Sequence, residues 1–236
     1  MDAILDNLDQ FAGGLLLTVE VTLISLALGF CLALPVALLR GAKNPALWMP
    51  AYAYTFYFRG TPLLVQLFLC YYGAGQFRDA LEAAGLWTWF REPYFCALLT
   101  LTLNTAAYSA EIFRGAIRAV PKGEVEAARA CGMSGALLYR RIVLPKAARL
   151  ALPGYSNEVV FLLQATSLVS IITLMDLTGV ARVLIARTFL VYEIFVFIGV
   201  LYLVLTYGVL WLFRRVEWRL SGHLRPPPAA HVQLQP

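Results

Sequence analysis

The feature that most restricts this chain is a series of five stretches, each of about 20 residues or more, that carry very little charge. A helix rises about 1.5 Å per residue, so roughly 20 apolar residues cross the hydrocarbon layer of a bilayer. The stretches run from Ala12 to Leu39, Ala51 to Gly73, Tyr94 to Gly115, Ala151 to Ile172 and Ile194 to Phe213. Hydrophobic residues make up 60% of the chain and charged residues 14%, a balance that leaves too little polar surface for a soluble fold. The expected fold is an all-α membrane protein with five transmembrane helices.

Residues 173–192 are also fairly apolar, but they include Asp176, Arg182 and Arg187. Three charges facing lipid are costly, so a short external helix is expected there and not a sixth span. Orientation follows from lysine and arginine near the span ends, which favour the cytoplasm. One side receives Arg40, Lys43, the basic residues between 114 and 149, and Arg214, Arg215, Arg219 and Arg225. The other receives only Arg78, Arg91, Arg182 and Arg187. The rich side is cytoplasmic on this rule, so the N-terminus is periplasmic and the C-terminus cytoplasmic. The net charge of +5 is therefore part of a membrane pattern, and no nucleic-acid partner is expected.

The first ten residues hold Asp2, Asp6 and Asp9 and no basic residue. A cleavable secretory signal needs a basic start, so the first apolar stretch reads as a retained helix. The layout is then a periplasmic segment over 1–11, a transmembrane domain over 12–220, and a cytoplasmic tail over 221–236 that is expected to be disordered around Pro226–Pro228. Four scattered cysteines, Cys31, Cys70, Cys96 and Cys131, lack metal-ligand spacing, and both histidines, His223 and His231, lie in the tail. No metal site and no histidine-based catalytic group is expected.

The cytoplasmic connection from Ala116 to Leu150 is too charged to span, yet alanine, leucine and charged residues mix at helical spacing. It reads as two short helices joined at Gly132, with Pro145 and Pro153 marking a break before the fourth span. From composition alone such a segment either rests on lipid headgroups or docks to a protein partner.

Within it, Glu126-Ala127-Ala128, three residues, Gly132, nine residues and Ile142-Val143-Leu144-Pro145 resemble the EAA loop of binding-protein-dependent ABC importers. The stretches Phe58–Leu63, Leu101–Tyr108, Glu111–Ile117, Ala119–Pro121 and Leu152–Glu158 resemble polar amino-acid permeases more closely, in particular the M-type subunits for histidine, lysine, arginine and ornithine, and related opine permeases. The resemblance spans roughly residues 12–220. It implies an inner-membrane permease for polar, basic amino acids (arginine, lysine, histidine, ornithine), or for opines. A periplasmic amino-acid-binding protein would deliver the substrate, two permease subunits would form the path, and a dimer of ATP-binding subunits would hold ATP and Mg. No cofactor is expected on this chain, which lacks a phosphate-cradling glycine loop. Glu126, Ala127, Ala128, Gly132, Leu144 and Pro145 are the residues the resemblance assigns to coupling with the ATPase, with small Ala127 and Ala128 permitting close approach.

Ionisable groups inside spans are functional candidates. Arg59, Glu111 and Glu158 are expected in the cytoplasmic half of the bilayer, where Arg59 pairs with Glu111 or Glu158 to stitch the bundle, where a carboxylate lines the path of a cationic substrate, or where they form an inner gate. Asn104, Asn157, Gln164, Thr166 and Ser167 are expected in the bundle interior, as path contacts or as hydrogen bonds between helices. Glu20 has no evident partner. Related permeases read Lys-Asp-Thr-Ser-Leu where this chain reads Gln164-Ala165-Thr166-Ser167-Leu168. The missing aspartate at Ala165 points to a heterodimer with a second permease subunit that retains it. Two other classes compete: an intramembrane hydrolase built on Glu111, Glu158 and Asp176, and an uncoupled channel. Neither explains the EAA loop.

Overall fold

The computed structural model describes residues 2–220. Among these residues the fold is all helical, with no strand. The α-helices are α1 (Asp2–Leu5), α2 (Leu8–Arg40), α3 (Pro45–Gly60), α4 (Leu63–Tyr71), α5 (Arg78–Ala83), α6 (Trp87–Phe90), α7 (Pro93–Arg118), α8 (Lys122–Ala130), α9 (Gly135–Leu138), α10 (Leu144–Ala165), α11 (Leu177–Thr188) and α12 (Val191–Leu220). Three stretches are long and apolar enough to cross a bilayer by length and composition: Leu8–Arg40, Gly135–Ile172 and Val191–Leu220.

α7 is the hub, packed against α2, α10, α3 and α4. Its Thr100, Thr102, Asn104, Thr105 and Ser109 are all buried. A helix enclosed by other helices has no need to present an apolar surface to lipid, which is why this central element can carry so many polar residues. α2 meets it along a ridge of small residues, Thr18, Thr22, Ser25, Gly29, Ala33 and Ala37, spaced three or four apart and all buried. Small residues at this spacing let two helices approach closely in lipid. A Cβ on Gly29 would lie 2.5 Å from Cγ2 of Thr105.

Several expectations change. The second span is not one helix over Ala51–Gly73: α3 starts at Pro45, and the chain breaks at Thr61 and Pro62 before α4. α2 begins at Leu8, four residues ahead of the expected Ala12, with α1 just before it. Neither Pro145 nor Pro153 interrupts the fourth span. Pro145 sits in the first turn of α10, where a missing N–H costs nothing, and the widened π turn at Tyr139–Val143 before it makes room for the ring. Pro153 lies inside the continuous α10. That helix passes into a 3₁₀ turn over Thr166–Ile172. The tail over 221–236 lies outside the described residues.

α11 has 12 residues, about 18 Å at helical rise, too short to span. Asp176 caps it by accepting from the N–H groups of Gly179 (2.9 Å) and Thr178 (3.2 Å), and Tyr202 of α12 donates to the same carboxylate at 3.3 Å. Gly179 is forced by this cap, since a Cβ there would lie 2.3 Å from the Leu174 carbonyl oxygen.

Candidate coupling loop and translocation face

The loop between α7 and α10 is built around Gly132. α8 ends in a Schellman turn: the Gly132 N–H donates to the Arg129 carbonyl (2.9 Å) and the Met133 N–H to the Ala128 carbonyl (3.0 Å), with Gly132 at φ +79°. A Cβ on Gly132 would meet nothing within 4 Å, so the backbone conformation, not crowding, selects glycine. Gly135, at φ +49°, completes the reversal into α9.

Packing makes this loop one body with the spans. Ala128, Leu138 and Val143 are buried in a single cluster with Ala116 and Val120 at the end of α7, Ala147 and Ala151 of α10, and Ala33 and Ala37 of α2. Lys146 also pairs with Glu124 across the loop. Glu126, Ala127, Gly132, Leu144 and Pro145 are exposed. Ala128 is not free to face a partner as expected: it is 7% exposed, and its small size serves the loop's own packing.

The break in the second span is repaired by two amides. Pro62 has no N–H to give the Phe58 carbonyl four residues earlier. That carbonyl instead accepts from Nε2 of Gln66 (2.9 Å) and Nδ2 of Asn104 (3.2 Å). Gln66 also reaches the Thr61 carbonyl (3.1 Å), and Asn104 donates to Oε1 of Gln66 (2.9 Å). Orphaned carbonyls in a membrane are tolerated only when neighbours satisfy them. The amide nitrogen of Asn104 is thus spent on holding the kink. Gln66, not singled out by its sequence surroundings, is its partner.

Glu111 gathers the arginines. Nε of Arg40 lies 2.9 Å from it, Nη2 of Arg114 2.5 Å, and Nη1 of Arg59 4.0 Å. Arg59 is therefore the outermost member of a cluster whose close pairs are Arg40 and Arg114, and no ion pair joins it to Glu158. Its guanidinium sits over the ring of Tyr108, 5.4 Å from the centroid, and 45% of its side chain is exposed. The Arg114 pair is legible as an i,i+3 spacing. Arg40 is 71 residues away in sequence, and only the packing of α2 on α7 brings it in.

Glu158 is 6% exposed and accepts from Oγ1 of Thr105 at 2.8 Å. Thr105 stands at the midpoint of α7, so this carboxylate is level with the middle of that helix. The hydroxyls of Thr166 and Ser167 donate to carbonyls of their own turn, Leu163 and Gln164, both at 2.7 Å. Asn157 and Gln164, expected inside, are exposed on this single chain. They share one face of α10 with Phe161, whose ring lies 6.2 Å from that of Tyr108. Arg59, Tyr108, Asn157, Phe161 and Gln164 thus form an open polar and aromatic face. Glu20 has a partner after all, since Tyr94 donates to it at 2.6 Å.

The carboxylates that a hydrolase would need are each committed elsewhere: Glu111 to arginines, Glu158 to Thr105, and Asp176 to a helix cap. A helical bundle with an open polar face and a rigid charged loop packed onto its spans has the build of a transport permease driven from outside the chain. The comparisons agree. The chain belongs to the family of binding-protein-dependent transport system inner membrane components, whose family model matches residues 21–222. It is a permease subunit of an ABC importer, not an enzyme, and such subunits work with ATPase and substrate-binding partners.

It is 47% identical over 222 residues to the nopaline transport system permease protein of Agrobacterium fabrum, covering 94% of this chain and 92% of that protein. To the octopine transport system permease protein of Rhizobium meliloti it is 50% identical over 207 residues, 88% of this chain and 84% of the other. To the histidine/lysine/arginine/ornithine transport system permease protein of Escherichia coli K12 it is 43% identical over 213 residues, 90% of each. The crystal structure of an amino acid ABC transporter with histidines superposes with a TM-score of 0.80 at 31% identity, over 92% of this chain and 96% of that one. An inward-facing MetNI methionine ABC transporter shares the fold, with a TM-score of 0.75 at 20% identity over 91% and 98% of the two chains.

Proposed function

We propose that this chain forms part of the membrane path for a basic amino acid or an arginine-derived opine, and that its 124–145 loop transmits ATP-driven movement from a separate ATPase dimer. The observation that carries the substrate class is the relatives themselves: they are named for histidine, lysine, arginine and ornithine, or for octopine and nopaline. Octopine and nopaline are N-substituted arginines, so a cationic side chain is common to most of these substrates.

The working arrangement has five spans: α2, the broken pair α3 and α4, α7, α10 and α12. The N-terminus is periplasmic, and the coupling loop and C-terminus are cytoplasmic. ATP and Mg belong to the partner ATPase. A periplasmic binding protein supplies the substrate, and a second, different permease subunit completes the path. Support for the heterodimer is the alanine at position 165, where related permeases carry aspartate. Glu158 is then the acidic group nearest a passing cation on this chain, and Arg59 and the α10 face are the groups a second subunit would meet across the path.

The test is uptake of labelled arginine in cells lacking the chain, with histidine, lysine, ornithine, glutamine and opines as competitors. Loss of uptake that is restored by the intact chain supports the reading, and the competitors rank the substrates. Unchanged arginine uptake with lost opine uptake moves the substrate to the opines. Glu158→Gln is expected to weaken cationic transport more than neutral transport, and equal loss of both makes Glu158 purely structural. Purification of a complex containing one permease species overturns the heterodimer.

A further inference from the structure

One cavity among the described residues lies apart from that polar face. It is a crevice of about 430 Å³ between α2, α7, α10 and α12, walled by residues such as Leu34, Ile117, Leu144, Ala148, Leu152 and Val216, with almost no polar atom on its surface. On α10, Ala148 and Asn157 are nine residues apart, about 180° around the helix. The crevice therefore opens away from the polar face that carries Asn157, Phe161 and Gln164.

Val216 also lines a second, shallow groove with Trp211, Leu212, Arg215 and Arg219. The apolar crevice thus ends beside two arginines. The charged groups on this end of α12 are Arg214, Arg215, Glu217 and Arg219, an excess of positive charge. Arg215 lies over the ring of Trp211, 5.4 Å from its centroid. Further along α12, Val200, Val204 and Tyr207 form an exposed apolar stripe leading to Trp211. Tryptophan and arginine at the end of a lipid-facing stripe mark the headgroup level of a membrane. Basic pockets between helices at that level suit anionic headgroups.

We propose that this crevice holds one acyl chain of an acidic phospholipid whose phosphate is bound by Arg215 and Arg219. A second permease subunit is a poorer occupant: the crevice offers it no hydrogen-bonding group, and the arginines ask for negative charge. Bound there, the lipid fills the gap between α12 and the helices that carry the coupling loop, since Leu144 and Ala147 line the crevice and Ala147 belongs to the loop's packed cluster. Lipid binding at this place stands apart from substrate and orientation; only the choice of leaflet rests on the cytoplasmic assignment above.

The experiment places the photo-crosslinker benzoylphenylalanine at Leu152 in the assembled complex in its own membranes, with a second probe at lipid-exposed Val204 as the control for crosslinking. Mass spectrometry identifies the adducts. The expected result is an acidic-phospholipid adduct at 152, enriched over its share of the bulk lipid and over its share at 204. Arg215→Gln with Arg219→Gln is expected to lower that enrichment roughly 10- to 30-fold, at about 1 kcal/mol per basic residue near a charged surface. Ala148→Phe, which fills the crevice, is expected to abolish the adduct at 152 while leaving that at 204. Zwitterionic lipid at its bulk ratio, an adduct to another permease chain or to residues 221–236, or no adduct at 152 while 204 reacts would each overturn the proposal.

Discussion

Two residues show how single positions shape the 124–145 loop and the kink. Gly132 is required by its left-handed backbone, which costs a residue with a side chain roughly 1–2 kcal/mol. Asparagine tolerates that conformation and valine does not. Gly132→Asn is therefore expected to retain most ATP-dependent uptake, whereas Gly132→Val leaves the protein in the membrane and removes most of it. Uptake measured beside membrane abundance checks both, and equal activity of the two variants would deny the turn its role. Phe58 depends instead on borrowed donors. Gln66→Leu or Asn104→Leu is expected to lower stability by about 0.6–1.7 kcal/mol, the range for hydrogen bonds between membrane helices. Because both amides serve one carbonyl and each other, the double variant should cost less than the sum. Thermal unfolding of the purified complex measures this.

Among the elements, α2 and α7 form the central pair, and Gly29 is one tight point in their ridge of small residues. A methyl group on Gly29 would strike Thr105, whose hydroxyl is held by Glu158. Thr105 cannot turn aside without releasing that buried carboxylate. Gly29→Ala is thus expected to destabilise by about 1–3 kcal/mol through overpacking, read as a lower unfolding temperature. Gly13→Ala, on the same helix with open space around it, is the control and should change little. α11 is fixed in a different way, by the Asp176 cap, by Tyr202 and by the Leu177 N–H donating to Thr18 at 3.3 Å. These bonds tie it to both α2 and α12.

For the whole molecule, the 124–145 loop and the long helices share one core. Ala128, Val143 and Ala147 belong to the same buried cluster as Ala33 and Ala110, so on the proposed coupling role a displacement of the loop would reach α2, α7 and α10 through direct packing. The five-span arrangement requires the two chain ends on opposite sides. A reporter fused after Arg225 is expected to behave as cytoplasmic, and one fused before Asp2 as periplasmic. Both reporting from one side would require an even number of spans.

The sequence by itself determined the membrane, the helices and the loop, because these follow from composition, run length and one spaced motif. Apolar runs fix helices in lipid whatever their neighbours are, and Gly132 announces its turn locally. The short helix α11 was legible too, from Asp176, Arg182 and Arg187. Only the tertiary structure decided which polar residues are spent on the fold. Arg40 meets Glu111, Thr105 meets Glu158 and Gln66 meets Asn104 through contacts 71, 53 and 38 residues apart, and no local pattern encodes such distances. It also turned Asn157 and Gln164 outward and Ala128 inward. Which face of a helix is covered depends on which helix packs there, and that is settled by the fit of side chains brought together from distant parts of the chain.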